Sequence, residues 1–113
     1  ELVKDLIKNK LSVCLVAELD NMIIGALGAR REGYRAYWLY FVEVEKMCRD
    51  KGMGRTLMQE FFRKAKKLGA EKIACDCPNK RFLLKFGFKQ VGKLPEWQEK
   101  NKDQFIMFRG LGK

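Results

Sequence analysis

The stretch EKMCRDKGMGRT, from Glu45 to Thr56, decides how this chain folds. It follows the apolar run AYWLYFVEVE over 36–45, which predicts a strand. It precedes RTLMQEFFRKAKKLGA over 55–70, whose apolar residues recur at helical spacing. Gly52 and Gly54 therefore stand where a strand passes into a helix. Glycine permits a sharp turn there, and the first turn of a helix leaves backbone N–H groups without partners.

The residues before this stretch predict one helix and three strands, over 1–10, 12–19, 22–30 and 36–45. The apolar face of the predicted helix consists of Leu2, Val3, Leu6 and Ile7. An Asp-Asn pair after the first strand predicts a hairpin turn. The third strand is nearly all apolar, which predicts that other elements cover both of its faces.

The residues after this stretch predict a helix, a strand, a short helix and two strands, over 55–68, 71–77, 79–87, 88–92 and 103–111. The segment KLPEWQEKNK over 93–102 is predicted to be a polar loop. This order predicts an α/β (α+β) fold with a mixed, mostly antiparallel, twisted central sheet and helices on both faces. The length of 113 residues suits a single domain over 1–113.

The composition restricts the chemistry. A net charge of +10 indicates an anionic partner without identifying it. The absence of histidine excludes Ser-His-Asp and Cys-His catalysis, and no metal site is expected. Four cysteines without a C-x-x-C pair predict free thiols in a reducing cytoplasm. No apolar run has the roughly 20 residues of a membrane helix, so no membrane partner is expected.

The loop predicts a phosphate site, because a helix start adds about half a positive charge to its open N–H groups. The Walker A pattern does not fit, since Arg55 replaces its lysine and Arg49 replaces its first glycine. The dinucleotide pattern G-x-G-x-x-G does not fit either, because Leu57 occupies its third glycine position. A purely structural tight turn remains an alternative on the local sequence.

The segment VEKMCRDKGMGRTLM over 44–58 resembles the acetyl-CoA signature of the GNAT acetyltransferase superfamily. The core of that signature, Q/R-x-x-G-x-G/A, is RDKGMG over 49–54 in this chain. LLKFGF over 83–88 is similar to the family's later Y-x-x-x-G-F segment. The resemblance covers roughly residues 10–110 and implies an acetyl-CoA-dependent N-acetyltransferase that acts on a primary amine.

The resemblance also implies which residues bind acetyl-CoA (coenzyme A). They are Val44, Arg49, Asp50, Lys51, Gly52, Met53, Gly54, Arg55, Thr56 and Asn79. The family's tyrosine that commonly protonates the departing thiolate corresponds to Leu83, which has no proton to give. The family usually begins with a strand and two helices. The chain is therefore expected to be a short or N-terminally truncated member, whose acceptor site is open or is completed by missing residues or by the second subunit of a homodimer.

Glu43 and Glu45 are the candidate catalytic residues, because they end the strand that should carry the thioester. A carboxylate there can take a proton from an amine whose ordinary pKa is about 10.4. Glu43 is preferred because it lies further into the strand. The candidates for the missing acid are Tyr34, Tyr37 and Tyr40. Cys75 and Cys77 lie on the neighbouring strand, where a covalent role would need a base that the sequence does not identify.

Two other functions fit parts of the sequence. A weakly active or inactive acyl-CoA-binding domain of the same fold would explain Leu83. A basic RNA-binding module would explain the charge, and KFGFKQV over 85–91 faintly resembles an RRM motif. However, Phe86 replaces a glycine of that motif, and three consecutive strands do not match the βαββαβ order. Nucleic acid is therefore not the expected partner.

Overall fold

The computed structural model describes residues 2–6 and 9–112, in which seven strands form one sheet and two α-helices pack against it. In chain order the elements are β1 (Leu2–Asp5), β2 (Ser12–Leu19), β3 (Met22–Gly33), β4 (Ala36–Val44), α1 (Met53–Lys67), β5 (Lys72–Cys77), α2 (Arg81–Leu84), β6 (Lys89–Glu99) and β7 (Lys102–Gly110). A 3₁₀ helix over Lys46–Cys48 lies between β4 and α1.

Neighbouring strands follow the order β1-β2-β3-β4-β5-β7-β6. Each neighbouring pair is antiparallel except β4 and β5, which are parallel. A parallel pair needs a crossover connection, and α1 provides it. The predicted α/β fold with a mixed, mostly antiparallel sheet is therefore confirmed.

The predicted N-terminal helix is wrong. Residues Leu2–Asp5 form β1, which pairs along its length with β2, and the Leu6 N–H donates to the Cys14 carbonyl. The apolar spacing suited a helix, but a short helix is marginal by itself, whereas the open edge of β2 supplies backbone partners. Ile7, a member of the predicted apolar face, lies outside the described residues.

The predicted polar loop over 93–102 is also wrong for most of its length. β6 continues through Pro95 to Glu99, and the chain turns only before Lys102. β6 is an edge strand and is mostly exposed, so no alternating apolar pattern marks it. An edge position also tolerates a proline. Similarly, β3 extends past its predicted end to Gly33.

β4 is not covered on both faces as its apolar run predicts. Tyr37 and Leu39 are buried, whereas Tyr40 and Phe41 are exposed. Tyrosine counts as an apolar residue in the sequence pattern, but its hydroxyl group allows the side chain to lie at the surface. α1 and α2 both pack on the core that contains Tyr37 and Leu39, so within the described ranges helices lie on one face of the sheet rather than on both. Neither of them is long and apolar enough to cross a membrane.

α1 buries the stripe that its spacing predicts. Leu57, Met58, Phe61 and Ala65 are fully buried, and Phe62 packs at the margin of the same core. This core lies between α1 and the face of the sheet that carries Tyr37 and Leu39. The start of α1 is thereby held beside the end of β4.

Gly25 marks the point where β3 passes closely under α1. A Cβ atom there would lie 3.1 Å from Leu57 Cδ1 and 3.2 Å from the Glu43 carbonyl oxygen. Gly25→Ala is expected to lower the free energy of unfolding by about 1–3 kcal/mol, because it overpacks a rigid site. Gly33→Ala, whose nearest atom is 3.7 Å away, should change it by less than about 0.5 kcal/mol. Urea denaturation compares them, and equal losses would contradict the close packing.

Candidate functional site

The parallel strands β4 and β5 separate at the centre of the sheet. They pair only from Ala36 to Trp38 on β4, although β4 continues to Val44 and β5 continues to Cys77. Beyond this point the facing strand edges have no strand partner within the described residues. The gap opens into a cleft of about 1030 Å³, a volume that suits a ligand of moderate size.

The loop between β4 and α1 turns through left-handed backbone conformations. Asp50 has φ of 63° and Gly52 has φ of 82°. The first hydrogen bond of α1 runs from the Thr56 N–H to the Gly52 carbonyl at 3.0 Å, and no side chain caps the helix. The N–H groups of residues 53–55 therefore precede the first helical bond and favour an anion. The predicted glycine turn is confirmed at Gly52.

Gly54 allows close packing rather than a turn. A Cβ atom there would lie 3.1 Å from the ring of Phe82, so the glycine lets α1 approach α2 beside the cleft. Arg49 also has a structural contact, since its Nε donates to the Val44 carbonyl at 3.1 Å. This bond ties the loop back to the end of β4.

Eight of the ten residues predicted to bind acetyl-CoA occupy two kinds of position. Those that line the cleft are Val44, Arg49, Asp50, Gly54 and Asn79. Those exposed beside it at the helix start are Lys51, Gly52 and Arg55. Met53 is buried in the core, and the Thr56 hydroxyl donates to the Gly52 carbonyl. The Asn79 side-chain oxygen accepts the Arg81 N–H at 3.0 Å, so it contacts the start of α2.

Glu43 and Glu45 both line the cleft. Val42 and Val44 pack against the core, so the alternation of β4 turns Glu43 to the opposite face, where the described residues place no helix. The Glu45 N–H donates to the Ile24 carbonyl at 2.7 Å, just past the end of β4. Glu43 is therefore the one nearer to the point where the strands separate.

Of the three tyrosines that are candidates for the missing acid, Tyr40 lines the cleft. Its hydroxyl donates to the Glu32 carboxylate, and this hydrogen bond raises the pKa of Tyr40. Tyr37 is buried and donates to the Lys10 carbonyl. Tyr34 is exposed in the turn between β3 and β4. Leu83 also lines the cleft, where it offers no proton.

Cys75 and Cys77 border the cleft from β5. Burial raises the pKa of the Cys75 thiol to about 12, and burial also raises the pKa of Cys77. Both groups remain thiols at neutral pH, so neither is an activated nucleophile. In the described part of the chain, no group of three or more His, Cys, Asp or Glu side chains is arranged to hold a metal ion.

The sequence interpretation missed Asp76 and Gln104. Asp76 lines the cleft from β5, and Gln104 Nε2 on β7 donates to Asp76 Oδ2 at 2.8 Å. The two residues are 28 positions apart, so no local pattern connects them. In the predicted strand KIACDC, Asp76 lies between Cys75 and Cys77 and therefore faces the opposite side of the sheet from them. This alternation is the one sequence signal that could have identified Asp76.

The charge of the cleft is the reverse of the charge of the chain. The chain has 24 basic and 14 acidic residues. The acidic residues that line the cleft are Glu43, Glu45, Asp50 and Asp76, and the basic ones are Lys46 and Arg49. Both basic residues belong to the loop that leads into α1, whereas Glu43 and Asp76 belong to the strands. Glu45 and Asp50 lie on the same loop and balance these two basic residues, so the cleft has an anionic wall at the sheet and no net side-chain charge at the loop.

The sequence profile of the Acetyltransferase (GNAT) family matches residues 1–88, which include β4, the loop and both helices. The chain belongs to this family. GNAT enzymes are acetyltransferases whose donor is acetyl-CoA. No curated protein sequence matches the chain.

Solved structures share the GNAT fold. The ribosomal-protein-S18-alanine N-acetyltransferase from Escherichia coli has a TM-score of 0.83 and 11% identity over 94% of this chain and 73% of its own. An aminoglycoside 6′-N-acetyltransferase complexed with coenzyme A has a TM-score of 0.81 and 19% identity over 91% and 74%. The aminoglycoside 6′-N-acetyltransferase from Enterococcus faecium has a TM-score of 0.79 and 19% identity over 91% and 74%. The TM-scores of 0.79–0.83 establish that this chain shares their fold.

Proposed function

We propose that this GNAT protein transfers the acetyl group of acetyl-CoA to a primary amine that enters the cleft from the helix-free face of the sheet. The observation that carries the proposal is the separation of β4 and β5 directly beside the uncapped start of α1. Open strand edges hydrogen-bond an extended chain that contains amide groups, in the manner of an added strand. The helix start supplies N–H donors for a pyrophosphate at the end of that chain.

The dimensions of the cleft support this assignment. The four residue-to-residue steps of β4 from Tyr40 to Val44 span about 13 Å of extended chain. A pantetheine arm has about twelve chain atoms between phosphate and sulfur, which is the length of about four residues. If residues 52–55 hold the pyrophosphate, the reacting end of the cleft lies beside Tyr40 and Phe41. Glu43 is closer to this end than Glu45, which supports Glu43 as the base.

When bound, acetyl-CoA supplies an acetyl group activated as a thioester. Backbone N–H groups on the open edge of β4 polarise its carbonyl group. An alkyl ammonium with a pKa of about 10.4 is mostly protonated at neutral pH, so a base must remove a proton first. We assign this role to Glu43, with Glu45 as the second candidate. The amine nitrogen then forms the amide bond while the carbon–sulfur bond breaks.

Tyr40 is the proposed acid for the departing thiolate. It lines the cleft, and its raised pKa keeps the phenol protonated at neutral pH. A thiol with a pKa of about 8.5 leaves with little assistance, so Leu83 does not exclude catalysis. Cys75 and Cys77 have raised pKa values and do not form an acetyl-enzyme in this proposal.

An inactive acyl-CoA-binding domain would use the same cleft and loop. Release of the CoA thiol in the presence of primary amines separates the two functions, because only the enzyme releases it. The cysteines of the described chain are free, which supports the cytoplasm as the proposed location. A homodimer stays a prediction.

Coenzyme A is expected to raise the melting temperature, and Gly52→Ala is expected to weaken its binding about tenfold. Gly52 has φ of 82° at the start of α1. This conformation costs a residue with a Cβ atom about 1–2 kcal/mol, so the alanine shifts the turn that positions the N–H donors. Melting temperatures over a series of CoA concentrations yield the Kd of each variant.

Gly69→Ala is the matched control. Gly69 has φ of 91° beyond the other end of α1, and a Cβ at either glycine meets no atom within 4 Å. Both variants should lose similar stability without ligand, but only Gly52→Ala should lose affinity for CoA. Equal affinities would remove the loop from the proposal. A wild-type protein that CoA does not stabilise would refute acetyl-CoA as its donor.

A further inference from the structure

We propose that Asp76, oriented by Gln104, binds the ammonium group of an aliphatic primary amine at the reacting end of the cleft. The inference rests on the proposed function, which places that end beside Tyr40 and Phe41. It adds an acceptor-binding residue and a substrate class. This class is alkylamines whose protonated amino group is their single charge.

Asp76 points to the helix-free side of β5. Cys75 is buried in the core and Cys77 packs against it, so strand alternation turns the residue between them to the other face. Asp76 lines the cleft on that face. The same alternation turns Glu43 to this face of β4. The two carboxylates therefore border the gap from opposite strands.

Gln104 fixes the orientation of this carboxylate. Its side chain is only 6% exposed and is the one buried polar side chain in the described ranges. A buried amide is costly unless it is hydrogen-bonded, so the bond from Nε2 to Asp76 Oδ2 should persist. Asp76 Oδ1 remains for a ligand. A carboxylate that is already oriented loses little side-chain entropy on binding.

The surroundings of Asp76 suit an alkyl ammonium. Tyr40 and Phe41 expose 58% and 42% of their surfaces, and aromatic rings both pack against alkyl chains and attract cations. The basic residues of the cleft, Lys46 and Arg49, belong to the loop at its other end. The basic remainder of the chain repels long polycations. A short amine with one positive charge fits the anionic, aromatic end of the cleft and is repelled less than a polycation by the basic chain.

An NMR titration of ¹⁵N-labelled protein with n-butylammonium, with and without saturating CoA, tests the proposal. The ligand should shift the backbone amide of Asp76 and the side-chain amide of Gln104. The uncharged analogue 1-butanol should bind at least about tenfold more weakly, because hydrogen bonds to charged groups are the stronger ones. Asp76→Asn should weaken n-butylammonium binding by about 10- to 100-fold for the same reason.

Glu71→Gln is the matched control. It removes a carboxylate that lies just before β5, pairs with Arg35 and does not line the cleft. It should leave n-butylammonium binding unchanged. Gln104→Met removes the hydrogen-bond donor at similar side-chain length and should weaken binding about three- to tenfold. A purely structural effect of this variant would also change the CoA-induced shifts of residues 50–56, which should stay the same.

Three results would overturn the proposal. They are no shift at Asp76 with n-butylammonium, equal binding of 1-butanol, and equal n-butylammonium binding by the wild type and Asp76→Asn. Failure of the proposed function has different signals: either CoA does not shift the amides of residues 50–56, or CoA binds but no CoA thiol is released in the presence of primary amines. The titration without CoA still reports on Asp76 in that case.

Discussion

Glu43→Gln is expected to lower kcat for acetylation of n-butylamine by about 10²- to 10⁴-fold, the usual contribution of a general base. Glutamine keeps the shape of the side chain but cannot accept the proton. The rate of the variant should then rise with pH toward the amine pKa of about 10.4, because only amine that is already neutral can react. The Kd for CoA should not change, since Glu43 lies on the face of β4 opposite the core that holds α1. CoA thiol release measured from pH 6 to 10 gives kcat and its pH dependence. Melting temperatures over a series of CoA concentrations give the Kd.

Glu45→Gln decides between the two candidate bases, and Glu71→Gln controls for the loss of one negative charge outside the cleft. Glu45→Gln should reduce kcat far less than Glu43→Gln. A larger effect at Glu45 would move the base to the end of β4. Unchanged rates in both cleft variants would end the proposal that either carboxylate is the base.

Phe61→Ala is expected to lower the free energy of unfolding by about 3–5 kcal/mol. Phe61 is among the largest fully buried side chains, at 0% exposure, and it stacks on Phe62 with ring centroids 5.9 Å apart. Its removal leaves a cavity between α1 and the sheet that neighbouring side chains only partly fill. Because domains of this size are stable by about 5–15 kcal/mol, the variant loses a large part of the total. Urea denaturation with a two-state fit measures the loss.

Phe41→Ala is the matched control for Phe61→Ala. Phe41 is 42% exposed on the helix-free face, so its removal should cost less than about 1.5 kcal/mol. A loss at Phe41 as large as the loss at Phe61 would show that the outer face contributes to stability as much as the core. The assignment of the core to the face of α1 would then be wrong.

The parts of the fold that were predicted correctly are those with a strong local pattern. α1 has an apolar stripe at helical spacing, and its stripe is buried as expected. β1 and the second half of β6, over 93–99, were missed for one reason: both strands lie at the ends of the strand order, and each has a single neighbouring strand. Edge strands obtain their stability from backbone partners elsewhere in the chain, and this leaves little trace in their own residues.

The candidate site also contains residues that a local pattern reveals and residues that it does not. The loop was recognisable because Arg49, Gly52 and Gly54 lie within six positions, and Gly52 has the positive φ that its place implies. Asp76 and Gln104 were not recognisable, because 28 residues separate them and only the pairing of β5 with β7 brings them together. The choice of Tyr40 among three tyrosines also required the structure.

The sequence by itself determined the strand–turn–helix unit and its open N–H donors, because glycine conformation and helical periodicity act over a few residues. Only the tertiary structure decided where the cleft opens and what lines it. The separation of β4 from β5 depends on how distant strands pair, and the residues that face across the gap are distant in the chain. The proposed phosphate-binding end of the site thus depends on neighbouring residues, whereas its proposed acceptor end is formed only when the sheet folds.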